Sequence, residues 1–287
     1  MTFFIQTDQS GIPYSHYGQY DDKTIGTQVS SLYVAENGLR AWNRYLRAPD
    51  EKEVLISGRW HRVLKNPEND PSNTTAAERV VLACANWLEH NVSSRQGFLA
   101  WEYPYPMSFR TPPHWISGHS QVVGLQLLER AGRTDLFEPL LQALEVPVDN
   151  GGIAEHLDPS AIWFEKFAHP ENERPKILNG HLFAVIGLFD LADRTGRNHI
   201  RTLAEKGLEA ARLLMPKFDL GGWTGYSIHG KPASQHYHDV VVEQLSLLSP
   251  HADWVQTWHD KFKGYRFSKK LRKAWKSQRA KAGSAPG

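Results

Sequence analysis

The sequence has a single cysteine, Cys84, which excludes an intrachain disulfide and a Cys-based zinc site. It also lacks long apolar runs. The longest, Leu182 to Phe189, is far too short to cross a bilayer, so no membrane span is predicted. No basic segment followed by an apolar run stands at the N-terminus, where Phe3, Phe4 and Ile5 lead straight into Gln6, Asp8 and Gln9. No secretory signal is visible, and a cytoplasmic location is the expectation. Acidic residues are missing from Lys261 onward, where ten basic ones stand. Before that point 23 basic residues face 31 acidic ones, so the formal charge of +2 hides a net −8 in the main body. A basic tail can touch an anionic polymer, nucleic acid or a membrane surface, but such runs are more often solvated extensions. No nucleic-acid partner is expected.

What remains is ordinary globular composition, with 40% hydrophobic and 22% charged residues, and a heavy aromatic complement of 10 Trp, 10 Tyr and 12 Phe. Apolar spacing predicts eight helices, at 27–47, 74–90, 115–131, 134–144, 177–194, 199–214, 235–248 and 252–263. Residues 53–64 alternate around Gly58 as a β-hairpin does. Residues 98–110 are aromatic, punctuated by proline and extended. A turn is marked at Asn150–Gly151–Gly152, and a short strand pair is expected around Tyr226. Odd-numbered helices are the more apolar, and even-numbered ones carry a charged face. That alternation predicts a mainly α fold, an α/α toroid with inner and outer helices and short β-hairpins. One domain is expected over 1–262, followed by a basic tail, 263–287.

The densest polar and aromatic stretch runs from Asp219 to His229 and resumes from Gln235 to Asp239. It holds Tyr226, Tyr237, His229, His236 and His238. Loops at one end of a helical toroid gather around its mouth, so these groups should converge there. Half-buried packing with satisfied hydroxyls fits both tyrosines as well. His236 and His238 on a helix start diverge by about 200°, and no third ligand has suitable spacing, so no metal site is predicted.

Several segments follow in a telling order: Leu178–Asn179–Gly180, Val185 to Leu191, Met215–Pro216, Gly225–Tyr226, Tyr237–His238 and Glu243 to Ser249. Together they resemble the C-terminal domain of the D-glucuronyl C5-epimerases that act on heparan-sulfate-type and heparosan-type chains. The likeness is specific from about Trp163 to Gly264 and continues more weakly back through Trp115, Ser117 and Gln121. It implies a short, bacterial-type relative with an incomplete α/α barrel of about four helical hairpins and β elements in its N-terminal part. The implied activity removes the C5 proton of a glucuronic acid unit within a polymer and returns one to the opposite face. No organic cofactor is implied; the partner is an anionic uronate polysaccharide, and family members tend to be homodimers.

Elementary chemistry sets the demands on such a site. A C–H beside a carboxylate is a very weak acid, so positive charge or hydrogen-bond donors must neutralise the enediolate. Inversion needs proton-transfer groups on both faces of the ring. Tyr226 and Tyr237 match the family's two catalytic tyrosines of this stretch. The family's Trp-Tyr-Glu-Glu-Tyr becomes Trp163–Phe164–Glu165–Lys166–Phe167. Glu165 is the expected substitute acid/base, with its carboxylate in the tyrosine cleft, and Lys166 a candidate for the substrate carboxylate. Tyr103 and Tyr105 are possible stand-ins for the lost tyrosine, with rim packing the plainer reading. Arg110 is the expected uronate clamp, because a guanidinium holds a carboxylate with two hydrogen bonds. Asn179 and His181 open a helix whose N-terminus suits an anion. Trp115 and Trp223 are candidate sugar-stacking rings, while His229 and His238 complete the binding set. Arg110, Lys166 and the histidines are expected to make an electropositive mouth. Two other classes compete: a uronate lyase, which starts with the same proton, and a non-catalytic polysaccharide-binding protein.

Overall fold

Ala252 stands in extended backbone before a helix at Asp253–Lys263 and Ser234 before one at Gln235–Leu248, and both helices run as their apolar spacing predicts. The computed structural model describes residues 5–20, 23–46, 53–56, 59–62 and 71–266. Most of the basic tail therefore lies outside the described residues. The helices are α1 (Ser31–Leu46), α2 (Pro71–His90), α3 (Gly118–Arg130), α4 (Phe137–Gln142), α5 (Leu178–Thr195), α6 (Asn198–Leu214), α7 (Gln235–Leu248) and α8 (Asp253–Lys263). All eight fall where the periodicity places them, and the described part is mainly helical.

Helix ends follow capping chemistry. Ser117 caps α3, its hydroxyl accepting from the Ser120 N–H at 3.5 Å. That moves the start three residues past the predicted 115, because Trp115 is held in a backbone bridge to Tyr103. Gly196 ends α5 in the left-handed region at φ 66°, which costs glycine nothing. α2 begins at Pro71, earlier than the predicted 74; proline's fixed φ suits a first helical position. α4 is shorter than predicted, six residues in place of eleven.

The strands are short and antiparallel. β1 (Ile5–Thr7), β2 (Pro13–Tyr20) and β3 (Lys23–Gln28) form a three-stranded sheet. β4 (Glu53–Ile56) pairs with β5 (Arg59–Arg62), β6 (Ser93–Arg95) with β7 (Phe98–Ala100), and β8 (Ala154–Asp158) with β9 (Ala161–Phe164). The aromatic segment 98–110 is strand only at its start. Beyond Ala100 it is held by the bridges Tyr103–Trp115 and Met107–Thr111. The strand pair expected around Tyr226 is likewise three separate bridges, Ile177–Ser227, Asp219–Thr224 and Gly225–Pro232.

α1, α3, α5 and α7 pack in succession, with α2 against α1, α6 against α5 and α8 against α7. α3 and α5 are buried almost all round, which is why their sequences carry little charge. α6 buries only a stripe, Ile200, Leu203, Ala204, Leu208, Ala211 and Leu214, at helical spacing. Among the described residues no helix is long and apolar enough to cross a membrane.

Candidate active site

The first turn of α7 presents Tyr237, whose N–H is capped by the Ser234 hydroxyl at 3.3 Å. Tyr226 is fixed through its backbone. Its N–H donates to the Lys231 carbonyl at 2.5 Å and its carbonyl accepts from Leu178 N–H, at the start of α5, at 3.2 Å. The two rings meet at 5.0 Å between centroids. Phe109 stacks on Tyr226 at 6.3 Å. Phe109 and Arg110 both adopt left-handed backbone, at φ 64° and 53°, inside the Met107–Thr111 turn. Such a conformation costs about 1–2 kcal/mol per non-glycine residue, a strain that recurs at functional sites.

Cations stand at both ends of this tyrosine pair. Lys231 Nζ lies 5.4 Å from the Tyr226 ring and 4.8 Å from Phe109. Lys166 Nζ lies 5.8 Å from the Tyr237 ring and 5.8 Å from Phe167. Burial, with Tyr237 beside it, holds the Tyr226 hydroxyl above the usual phenol value. Desolvation pushes Lys166 down to about 8, with Glu36 opposing it. Behind these groups Tyr17, Tyr103, Tyr105, Trp115, Phe167 and Ile177 form a second small core, separate from the main one.

Glu165 has different surroundings from the next residue. It is 0% exposed, neither carboxylate oxygen has a hydrogen-bond partner, and Lys176 Nζ approaches to 3.9 Å. Burial drives its carboxyl up to about 8, while Lys176 and Arg174 pull it down and Glu155 raises it further. The tyrosines are not among the groups that act on it. Lys166, not Glu165, is thus the charged residue of this segment in contact with the tyrosine pair.

Several expected ligands prove to be framework. The His181 Nδ1 accepts from Phe164 N–H at 2.9 Å, and its Nε2 donates to the Gly207 carbonyl at 2.9 Å. It stacks on Trp163 and is pushed down to about 3 by burial, so it is a neutral core histidine. Trp223 is wholly buried, stacked on His238, with its N–H on the Ala233 carbonyl at 2.9 Å. His238 in turn pairs with the Thr224 hydroxyl at 2.5 Å and locks the Gly-rich turn onto α7. Neither is open to a sugar. Trp115 is buried, stacked on Tyr103, and donates to the Tyr105 carbonyl at 2.8 Å. The Tyr103 hydroxyl bonds Ser120 and reaches Ser30 at 3.4 Å and Ser31 at 3.3 Å, tying the starts of α1 and α3 together. Tyr105 reaches Tyr17 at 3.4 Å. These two tyrosines pack, as the plainer reading had it.

Arg110 points into solvent, 86% exposed, with Glu173 at 3.7 Å. His229 and His236 are exposed too. The expected electropositive mouth is therefore corrected: of Arg110, Lys166 and the histidines, Lys166 and the exposed His236, whose ring lies 5.2 Å from that of Tyr237, join the tyrosines. Lys231 is the second cation, and nothing in the sequence pattern singled it out. Asn179 sits buried in the first turn of α5, with both side-chain polar atoms unpartnered. His119, in the first turn of α3, was also missed. It stacks on Phe183 at 4.2 Å, and burial together with Lys166 holds it neutral. Among the described residues no three His, Cys, Asp or Glu side chains gather as metal ligands would.

The family model described as D-glucuronyl C5-epimerase C-terminus matches residues 95–277. An uncharacterized protein of Methanocaldococcus jannaschii is 25% identical over 83% of this chain and 77% of its own length. The D-glucuronyl C5-epimerase of Caenorhabditis elegans is 26% identical over 84% of this chain, which spans only 43% of that enzyme. The match over residues 95–277 takes in both tyrosines, Lys166 and the helices that carry them, and the chain belongs to the D-glucuronyl C5-epimerase C-terminal family.

Proposed function

We propose that this protein inverts C5 of D-glucuronate units within a heparosan-type polysaccharide, in a cleft at one end of an incomplete α/α toroid. The observation that carries the reading is the pair of phenols flanked by two ammonium groups. Abstraction of the C5 proton puts negative charge on the uronate carboxylate, and Lys231 with the opening of α5 offers it positive charge and donors. A buried phenol that stays protonated is suited to give a proton, and such groups contribute about 10²–10⁴-fold. The aromatic wall of Phe109, Tyr226 and Tyr237 gives a sugar ring an apolar surface.

Tyr226→Phe and Tyr237→Phe each remove one hydroxyl from a half-buried ring. Each is expected to slow iduronate formation by at least 100-fold and to leave thermal unfolding nearly unchanged. Activity near wild type in either variant removes that residue from the proton-transfer role. An unsaturated product absorbing in the ultraviolet would assign the site to β-elimination instead.

A further inference from the structure

Inversion requires proton-transfer groups on both faces of the ring, and the two tyrosines stand side by side. Lys166 is the cation on the Tyr237 side: its Nζ lies over Tyr237 and Phe167, while Tyr226 is covered by Lys231. Lys166 is half-buried, and its ammonium makes no hydrogen bond or ion pair among the described residues. Its stem is fixed against the first turn of α5. A Cβ placed on Gly180 would meet Lys166 Cδ at 2.6 Å and Cβ at 2.8 Å. The other charged or titratable groups that act on it are Glu36 from α1 and His119 from α3. A half-buried lysine whose one acid, Glu36, acts without a hydrogen bond to it is poorly compensated for its desolvation, as groups at functional sites often are.

We propose that Lys166 is itself a catalytic proton-transfer residue: its neutral amine takes the C5 proton on one face of the sugar while the Tyr226 hydroxyl gives a proton to the other. This rests on the C5-inverting reading above. The C5–H bond breaks as an N–H bond forms, and the electron pair passes into the carboxylate as an enediolate. The pair returns to C5 as the Tyr226 O–H bond breaks and the new C5–H bond forms. Lys166 is left as ammonium and Tyr226 as phenolate. Tyr237, whose ring lies 5.0 Å from the Tyr226 ring and 5.8 Å from Lys166 Nζ, is the relay in this proposal: it gives its proton to Tyr226 and takes one from Lys166, which restores the starting state. The reverse sequence runs from the product epimer. Desolvation supports the role, since an amine at about 8 is about one-tenth uncharged at pH 7.

The test uses the full chain with heparosan in heavy water, following iduronate and C5 deuterium by NMR. Lys166→Arg keeps the positive charge but cannot surrender a proton. It is expected to invert at least 100-fold more slowly than wild type. Lys166→Cys is expected to be equally slow and to regain at least 10-fold on alkylation with 2-bromoethylamine, which rebuilds an amine. Cys84 is buried, so the reagent is directed to residue 166. The rebuilt amine carries sulfur and is less basic, so the low-pH limb of kcat/KM should move to lower pH. A packing role would not shift that limb. Lys166→Arg within threefold of wild type, or no recovery on alkylation, overturns the assignment. If wild type itself yields neither iduronate nor deuterium, the C5-inverting reading fails and the assignment falls with it. If wild type is active and the arginine variant matches it, the role of Lys166 alone fails.

Discussion

Gly180→Ala probes the placement of Lys166 without touching its amine. The added methyl would lie 2.6, 2.8 and 3.0 Å from Lys166 Cδ, Cβ and Cγ. Carbon contacts settle near 3.5–4.0 Å, so the lysine stem must retreat by about 1 Å. Two energies oppose each other in stability. Alanine in place of glycine inside a helix gains about 1 kcal/mol, and overpacking costs about 1–3 kcal/mol. The net loss is about 0–2 kcal/mol, or a fall in Tm of about 0–8 °C for a chain of this size. Activity should suffer far more, because a displacement of about 1 Å in a reacting group costs about 10²-fold. Gly187→Ala, on the same helix, is the control. Its methyl would meet Val122 Cγ1 at 2.5 Å, in the core and away from the tyrosines. The assay pairs thermal unfolding with iduronate formation. Gly180→Ala should lose activity out of proportion to stability, and Gly187→Ala should lose stability out of proportion to activity. A Gly180→Ala protein with activity within threefold of wild type would refute the reasoning.

Glu165→Gln separates the two charged neighbours of this segment. The folded-state carboxyl at about 8 lies above its ordinary 4.5, so Glu165 favours folding below pH 4.5 and opposes it increasingly as pH rises toward 8. The variant should therefore gain about 3 kcal/mol at pH 7, a figure that already includes the pull of Lys176, gain nothing near pH 4, and keep its activity; urea unfolding across pH reads the first part. His181→Ala leaves Phe164 N–H and the Gly207 carbonyl unpaired in the core, and urea unfolding should show a loss of about 3–5 kcal/mol. In wild type the folded-state value of about 3 lies below the ordinary 6.5, so His181 supports the fold above pH 6.5 and that support is lost below it. The slope from this one group is at most about 1.4 kcal/mol per pH unit, and the His181→Ala protein should lack it.

The helices were legible because each signal is local. α5 announces itself by an apolar run and α7 by a periodic stretch, and the structure ends the first at Gly196 and caps the second with Ser234. The site was legible in part, for a different reason. Tyr226 and Tyr237 lie close in sequence and one bridged turn brings them together, so their proximity survives folding in any arrangement of the rest. His181, Trp223 and His238 carry the same polar and aromatic appearance, but His181 is held by Trp163 and Gly207, Trp223 by His238 and Ala233, and His238 by Thr224, partners supplied by packing that no spacing encodes. Lys231 and His119 were missed for the converse reason. A lysine after a glycine turn and a histidine near a serine cap carry no pattern, and they gain meaning only from the rings of Tyr226 and Phe183. The Arg110 expectation failed on backbone geometry: the left-handed turn stacks Phe109 on Tyr226 and leaves the guanidinium in solvent beside Glu173.

The central claim is proton exchange at C5 of a glucuronate unit inside an intact polymer. Purified protein incubated with heparosan in heavy water tests it most directly, with NMR following C5 and size-exclusion chromatography following chain length. The predicted result is deuterium at C5, iduronate signals appearing with it, and an unchanged chain length. Unsaturated uronate with shortened chains, or full-length heparosan that stays protonated at C5, would contradict it.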